Sequence, residues 1–285
     1  MFPLLLFFLA ASSGLPQKFA AIATQAQGRV GVSAMLIETG ESLQFQGSDR
    51  YPMQSVYKFP IAMAVLRNVD RGLLRLDQEI PVAKSDLVPR ALHSPIRDQH
   101  PDGASLTVRE LLRFAVSESD GTASDVLLRL AGGGAKVTEY LRGLGIHGVI
   151  VETTEMEMSQ GEMVQYWNWA QPVEMIVLLK ALHEGKGLSA SSRDLLLDFM
   201  IHGPTGAHRL KGLLPEGAVV AHKTGTSGTS NGLTRATNDV GIVTLPDGRH
   251  VAIAVFVSDS KASEAVREGV IAKVARAAWD YWAGK

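Results

Sequence analysis

The sequence predicts an α+β fold, with strands gathered at the two ends of the chain around a helical middle. Three observations predict it. Near the N-terminus, Arg29 to Glu38 alternates loosely, Thr39-Gly40-Glu41 makes a turn, and Ser42 to Gln46 returns; this reads as a hairpin. Near the C-terminus, Val240-Gly241-Ile242-Val243-Thr244-Leu245 and Val251-Ala252-Ile253-Ala254-Val255-Phe256-Val257 flank Pro246-Asp247-Gly248, a second hairpin. From Ser55 to about Ile201 the signals are helical. The almost wholly apolar run Phe59-Pro60-Ile61-Ala62-Met63-Ala64-Val65-Leu66 predicts a buried helix after Ser55. Thr107-Val108-Arg109-Glu110 is a capping box ahead of Leu111-Leu112-Arg113-Phe114. Ser124 to Leu130 is helical and stops at Gly132-Gly133-Gly134. Pro172 suits a first helical turn, and Val173 to His183 runs on to Gly185. Lys261 to Trp282 reads as a closing helix, with apolar residues at helical spacing. There is no long linker and no internal repeat.

Composition bounds the partners. The chain has 285 residues, 46% hydrophobic and 20% charged, with a formal net charge of −1. Such a balance gives no reason to expect nucleic acid or an anionic membrane as a partner. The absence of cysteine excludes disulfides, thiolate metal sites and a thiol nucleophile. The eight histidines show no HExxH spacing, so no zinc is expected, and no cofactor either. Gly132-Gly133-Gly134 does not follow a strand, as a phosphate-binding loop would. The four tryptophans, Trp167, Trp169, Trp279 and Trp282, read as packing residues. At the start, Phe2-Pro3-Leu4-Leu5-Leu6-Phe7-Phe8-Leu9-Ala10-Ala11 is apolar and too short to span a bilayer. It reads as the core of a secretory signal, without a basic leader, and with Ala10 and Ser12 suited to the −3 and −1 cleavage positions. A periplasmic or secreted protein without stable membrane association is the expectation.

The chemistry is concentrated in three short clusters. Ser55-Val56-Tyr57-Lys58 sets a hydroxyl and an amine three residues apart, on one face if Ser55 begins a helix. A serine hydroxyl is a weak nucleophile until a neighbour accepts its proton. Taken alone, the same four residues fit an N-cap serine and a solvated lysine. Two further clusters change that reading: Ser119-Asp120-Gly121, and Lys223-Thr224-Gly225-Thr226. Together with Tyr166-Trp167-Asn168-Trp169 and Ala236-Thr237-Asn238-Asp239-Val240-Gly241, they occur in the order of a known family. The chain resembles a class A serine β-lactamase, within the branch that contains the PER and VEB cephalosporinases. The resemblance runs from about Gln17 to the C-terminus.

That resemblance implies an α/β sandwich plus an all-α domain. It places the α/β part at 17–54 and 202–285 and the inserted helical part at 55–201, with the cleft between them; residues 1–16 would be the signal peptide. The implied protein is a monomer that hydrolyses β-lactams and confers antibiotic resistance. Ser55 is the implied nucleophile, with Lys58 beside it, and Ser119 relays a proton to the departing nitrogen. Backbone N–H groups of Ser55 and Thr226 form the implied oxyanion hole. Lys223, Thr224, Thr226 and Arg209 hold the substrate carboxylate, with Arg235 a rival to Arg209. Between His147 and Trp169 lies the implied omega loop, in which alignment on Met158 and Gln165-Tyr166-Trp167-Asn168-Trp169 selects Glu155 as the water-activating carboxylate, with Glu152 and Glu157 in reserve. Two departures stand out. Ser159 replaces the usual Asn four residues after that glutamate, still offering a hydroxyl. Gly121 replaces the Asn whose amide usually holds the substrate side chain. Asp120 is expected to order local backbone, and His93 to border the cleft or lie on the surface. The alternatives are a D,D-peptidase, which lacks the Glu155 base, and a penicillin sensor that stays acylated.

Overall fold

The computed structural model describes residues 14–284; the expected signal core and its cleavage positions lie outside them. Helix α1 (Leu15–Ala23) opens the described chain. Strands β1 (Arg29–Leu36) and β2 (Ser42–Phe45) form the N-terminal hairpin, and β3 (Tyr51–Pro52) leads to the middle of the chain. There follow α2 (Lys58–Asp70), β4 (Glu79–Ala83), α3 (Pro95–Gln99), β5 (Gly103–Thr107), α4 (Val108–Val116), α5 (Gly121–Leu130) and α6 (Gly134–Gly143). Next come β6 (Val149–Ile150), α7 (Glu155–Met158), β7 (Trp169–Ala170), α8 (Pro172–His183) and α9 (Ala190–Ile201). The chain then runs through β8 (Val220–Thr226), β9 (Thr229–Ser230), β10 (Leu233–Thr244), β11 (His250–Ser260) and α10 (Glu264–Ala283).

The two terminal hairpins join one antiparallel sheet, ordered β2-β1-β11-β10-β8. Its centre is buried on both faces, because period-2 alternation sends successive side chains to opposite sides. From β11, Val251, Ile253, Val255 and Val257 pack with Leu15 and Phe19 of α1 and Val270, Ile271 and Val274 of α10. Ala252, Ala254 and Phe256 point the other way, into a core shared with α2 and α8. Strand β11 therefore reads as continuously apolar rather than alternating.

Local chemistry explains where boundaries differ from the sequence expectation. Helix α5 starts at Gly121, not Ser124, because Asp120 caps it by accepting the Ala123 N–H. Helix α10 starts at Glu264, three residues late, because Ser263 accepts the Val266 N–H. The Thr107–Glu110 capping box forms as expected. The middle is not wholly helical: β4 pairs with β5, and β3-β7-β6 make a small second sheet. These strands are two to five residues long, too short to show periodicity. Trp282 is fully buried, whereas Trp167 is half exposed and so is not a core residue.

Candidate active site

A cleft of about 640 Å³ opens beside β8, lined among others by Ser55, Lys58, Ser119, Glu155, Thr224 and Thr226. That volume suits a small organic molecule. Ser55 sits in a 3₁₀ turn (Gln54–Tyr57) that runs straight into α2, and it makes no capping bond, so the N-cap reading falls away. The backbone before it is held in place. Gln54 has φ +47°, and Asn238 Nδ2 of β10 donates to the carbonyls of Pro52 (2.8 Å) and Met53 (3.1 Å). Strand β8 lies against the same segment: a Cβ at Gly225 would come within 2.3 Å of the Met53 carbonyl oxygen and 3.2 Å of Ser55 N. Only glycine permits that approach.

Lys58, the first residue of α2, is 2% exposed and its Nζ has three neighbours. They are Ser55 Oγ at 2.9 Å, the Ser119 carbonyl at 2.7 Å and Glu155 Oε1 at 2.9 Å. Three acceptors match the three ammonium protons. Ser119 bridges both lysines, since its hydroxyl accepts from Lys223 Nζ at 2.9 Å. Its φ of +62°, uncommon for a non-glycine residue, lets carbonyl and hydroxyl address separate partners. Next to it, Asp120 accepts N–H bonds from Ile96 and Ala123, each at 2.7 Å, and the Ser94 hydroxyl. Asp120 thus orders backbone, as expected, and burial raises its pKa.

Glu155 opens α7 and is buried; Glu152 and Glu157 are exposed. Glu157 closes a capping box with Thr154, so neither reserve carboxylate reaches the cleft. Beneath Glu155 lies Asp125 of α5, which accepts the N–H groups of Glu155 (2.7 Å) and Met156 (3.0 Å). Burial chiefly pushes the Asp125 carboxyl up to about 7, and the nearby Glu155 charge adds to the rise. At the far end of the 147–169 segment, Arg235 of β10 donates to Glu162 (3.0 and 3.1 Å). Arg235 is also 3.6 Å from Asp259, which bonds the Tyr166 hydroxyl.

Residues 14–282 match the profile of the β-lactamase enzyme family. The chain belongs to that family. It is 40% identical over 259 residues to β-lactamase VEB-1 of Pseudomonas aeruginosa, covering 90% of this chain and 86% of the relative. Identity to the extended-spectrum β-lactamase PER-1 of the same species is 39%, covering 94% and 87%. Among solved structures, a β-lactamase from Chitinophaga pinensis superposes with a TM-score of 0.92 at 50% identity, covering 94% of this chain and 99% of that one. The TLA-1 extended-spectrum β-lactamase also gives 0.92, at 43% identity, covering 94% and 98%. These likenesses place the chain among the class A β-lactamases and confirm the expected fold.

Within this class A frame, the structure places several of the expected site residues away from the cleft wall or in contact with other protein groups. Lys223 does not line the cleft; it is 1% exposed and lies behind Ser119, also donating to the Thr224 carbonyl at 3.0 Å. Burial, and then the Lys58 charge, hold its pKa well below the ordinary lysine value. Arg209 does reach the cleft, but its donors are engaged by Glu268 (2.9 Å), the Asn238 carbonyl (3.0 Å), the Gly225 carbonyl (3.3 Å) and Thr226 Oγ1 (2.8 Å). Because Thr226 Oγ1 accepts from Arg209, its own proton is free to point into the cleft. Arg235, the expected rival, is committed to the two carboxylates described above. Gly121 is buried, off the cleft surface, with its N–H donated to the His93 carbonyl at 2.9 Å. A Cβ there would meet that carbonyl at 3.2 Å and Val88 Cγ2 at 3.3 Å. His93 does border the cleft. The Ser159 hydroxyl is exposed and donates to the Met156 carbonyl at 2.6 Å, so it does not stand in for the missing amide. Motif spacing assigns no role to Gln54 and Gln165, which bridge across the cleft at 2.6 Å, nor to Asp125 and the buried His222–Asp239 pair at 2.9 Å. That pair holds the Arg209 loop, because Asp239 Oδ2 accepts the Leu210 N–H at 3.1 Å.

Proposed function

We propose that the protein hydrolyses the β-lactam amide of penicillins and cephalosporins through an acyl-enzyme on Ser55, and that Glu155 activates the deacylating water. The observation that carries this reading is Lys58 Nζ, hydrogen-bonded at once to Ser55 Oγ, the Ser119 carbonyl and Glu155 Oε1. Passing one Lys58 proton to Glu155 leaves an amine lone pair facing the Ser55 hydroxyl. Ser55 Oγ then bonds to the lactam carbonyl carbon as its proton moves to Lys58. The carbon–nitrogen bond breaks, the nitrogen takes the Ser119 proton, Ser119 regains one from the protonated Lys58, and Glu155 returns its proton to Lys58. Over the step, one proton moves from Ser55 to the departing nitrogen. Backbone N–H groups of Ser55 and Thr226 hold the oxyanion, donors of a kind worth on the order of 3 kcal/mol in the transition state. Thr224 and Thr226 receive the substrate carboxylate beside the positive field of Lys223 and Arg209. In deacylation, water bonds to the ester carbon, Glu155 takes its proton, and Ser55 Oγ leaves and regains one. The placement of Glu155 against Lys58 favours turnover over the peptidase and sensor alternatives.

The segment around Glu155 acts as the omega loop in this scheme. The α/β and helical parts act as two domains with the cleft between them. A monomeric enzyme is part of the proposal. Export to the periplasm or beyond is part of the proposal, supported by the apolar N-terminal run; among the described residues, no helix is long and apolar enough to cross a membrane. Ser55→Ala is expected to abolish both the acyl adduct and turnover. Glu155→Gln should acylate yet deacylate at least about a hundredfold more slowly. Intact-mass spectrometry after mixing with a penicillin, alongside turnover of a chromogenic cephalosporin, reads both steps. Rapid turnover by Glu155→Gln would overturn the assignment.

A further inference from the structure

Outside the cleft, Glu38, His183 and His250 converge from three separate stretches of chain. Glu38 follows β1, His183 ends α8 and His250 opens β11. One ligand atom from each lies within 4.8 Å of the other two. The imidazole rings are 4.3 Å apart between centroids, and His250 Nδ1 is 2.8 Å from Glu38 Oε1. None of the three lines the cleft.

We propose that Glu38, His183 and His250 bind one divalent transition-metal ion of the zinc type, which fastens α8 to the sheet. Two imidazole nitrogens and one carboxylate oxygen, with a fourth position open to water, form a recurrent zinc ligand set. Imidazole ligands select against calcium and magnesium, which take all-oxygen shells. Zinc bonds of about 2.0–2.1 Å put tetrahedral ligand atoms roughly 3.3 Å apart. The cluster therefore needs to contract by about 1.5 Å at most, within reach of side-chain rotation, since all three groups retain exposure. The carboxylate is already oriented, because its two oxygens accept the His250 backbone N–H at 3.0 and 3.1 Å. Such outer hydrogen bonds hold metal ligands in position. His183 also stands at the C-terminal end of α8, where unpaired carbonyls favour a cation. The surrounding charges are already matched: Glu184 pairs with Lys180 and Lys186, and Arg193 with Asp194. The Glu38 carboxylate faces His250 within the cluster itself.

The test uses the untagged full chain. Zinc is titrated in competition with a chromophoric chelator, and cobalt(II) in its place is followed by its visible absorption. One equivalent should bind with micromolar or tighter affinity and raise the Tm by several degrees. His183→Gln, His250→Gln and Glu38→Gln should each weaken binding at least about tenfold and remove the Tm shift. Metal-free hydrolysis of a chromogenic cephalosporin should be unchanged in all three, which also shows that they are folded. The wild-type cobalt spectrum decides the ligand set even where a variant is unstable: a four- or five-coordinate spectrum supports the site, and the spectrum of hexaaqua cobalt overturns it. Absence of saturable zinc binding overturns it too, as does binding that survives both histidine substitutions.

Discussion

Asp125 is the residue on which the geometry of Glu155 depends, because its two oxygens hold the first two N–H groups of α7. Those bonds satisfy donors that a helix start otherwise leaves unpaired. The cost is a buried carboxylate. Burial raises its pKa from the usual 3.8 to about 7, so across that interval the folded protein binds a proton that the unfolded chain has released. Its contribution to stability is therefore complete below about pH 4 and is lost as pH rises through 7, by on the order of 4 kcal/mol. Asp125→Asn cannot titrate. Its stability relative to wild type should accordingly improve by about that amount between pH 4 and pH 8, despite the loss of one acceptor. Urea midpoints for both proteins across this range check the point; a pH-independent difference would show that Asp125 does not titrate there.

At the scale of elements, the site is a junction between β8, the Ser55 turn and α7. The approach of β8 depends on a glycine. Gly225→Ala forces a methyl group toward the Met53 carbonyl at 2.3 Å, a backbone atom that cannot swing away. Strand and turn must separate, moving Thr226 relative to Ser55, and kcat/KM should fall on the order of a hundredfold. Gly269→Ala in α10 is the control, since open space surrounds its Cβ. It should leave kcat/KM unchanged and stabilise by about 0.5–1 kcal/mol. Steady-state kinetics and melting curves on the two variants compare them; an active Gly225→Ala would mean that the junction is more compliant than its packing implies.

For the whole molecule, the first and last described helices pack into one core. Helices α1 and α10 cover one face of the sheet, and Trp282, near the end of α10, is fully buried. Its Nε1 donates to Glu41 Oε2 at 3.0 Å, in the turn that joins β1 to β2. Trp282→Ala should cost about 3–5 kcal/mol of folding stability through the cavity it leaves. The folded fraction should keep its kcat, because Trp282 does not line the cleft. Denaturant midpoints and kcat measured below the transition separate the two effects, and a fall in kcat equal to the fall in stability would contradict that separation.

Some of this molecule could be read from sequence because the information is local. Ser55 and Lys58 meet because one turn of helix brings positions three apart together. The Thr107–Glu110 box and the two terminal hairpins likewise depend on neighbours in the chain. Glu155 was selected among four acidic residues by family likeness, and burial against Lys58 is what separates it from Glu152 and Glu157. Other features come from segments that touch only after folding. Lys223 reads as a cleft residue in its motif, yet the depth of β8 puts it behind Ser119. Gly121 reads as a missing contact, yet the His93 carbonyl closes over it. Asp125 carries no motif, and the Glu38, His183 and His250 cluster joins residues up to 212 positions apart. Spacing along the chain encodes what a helix turn or a hairpin brings together, whereas burial, close approach and long-range electrostatic partners exist only once the sheet and helices have packed.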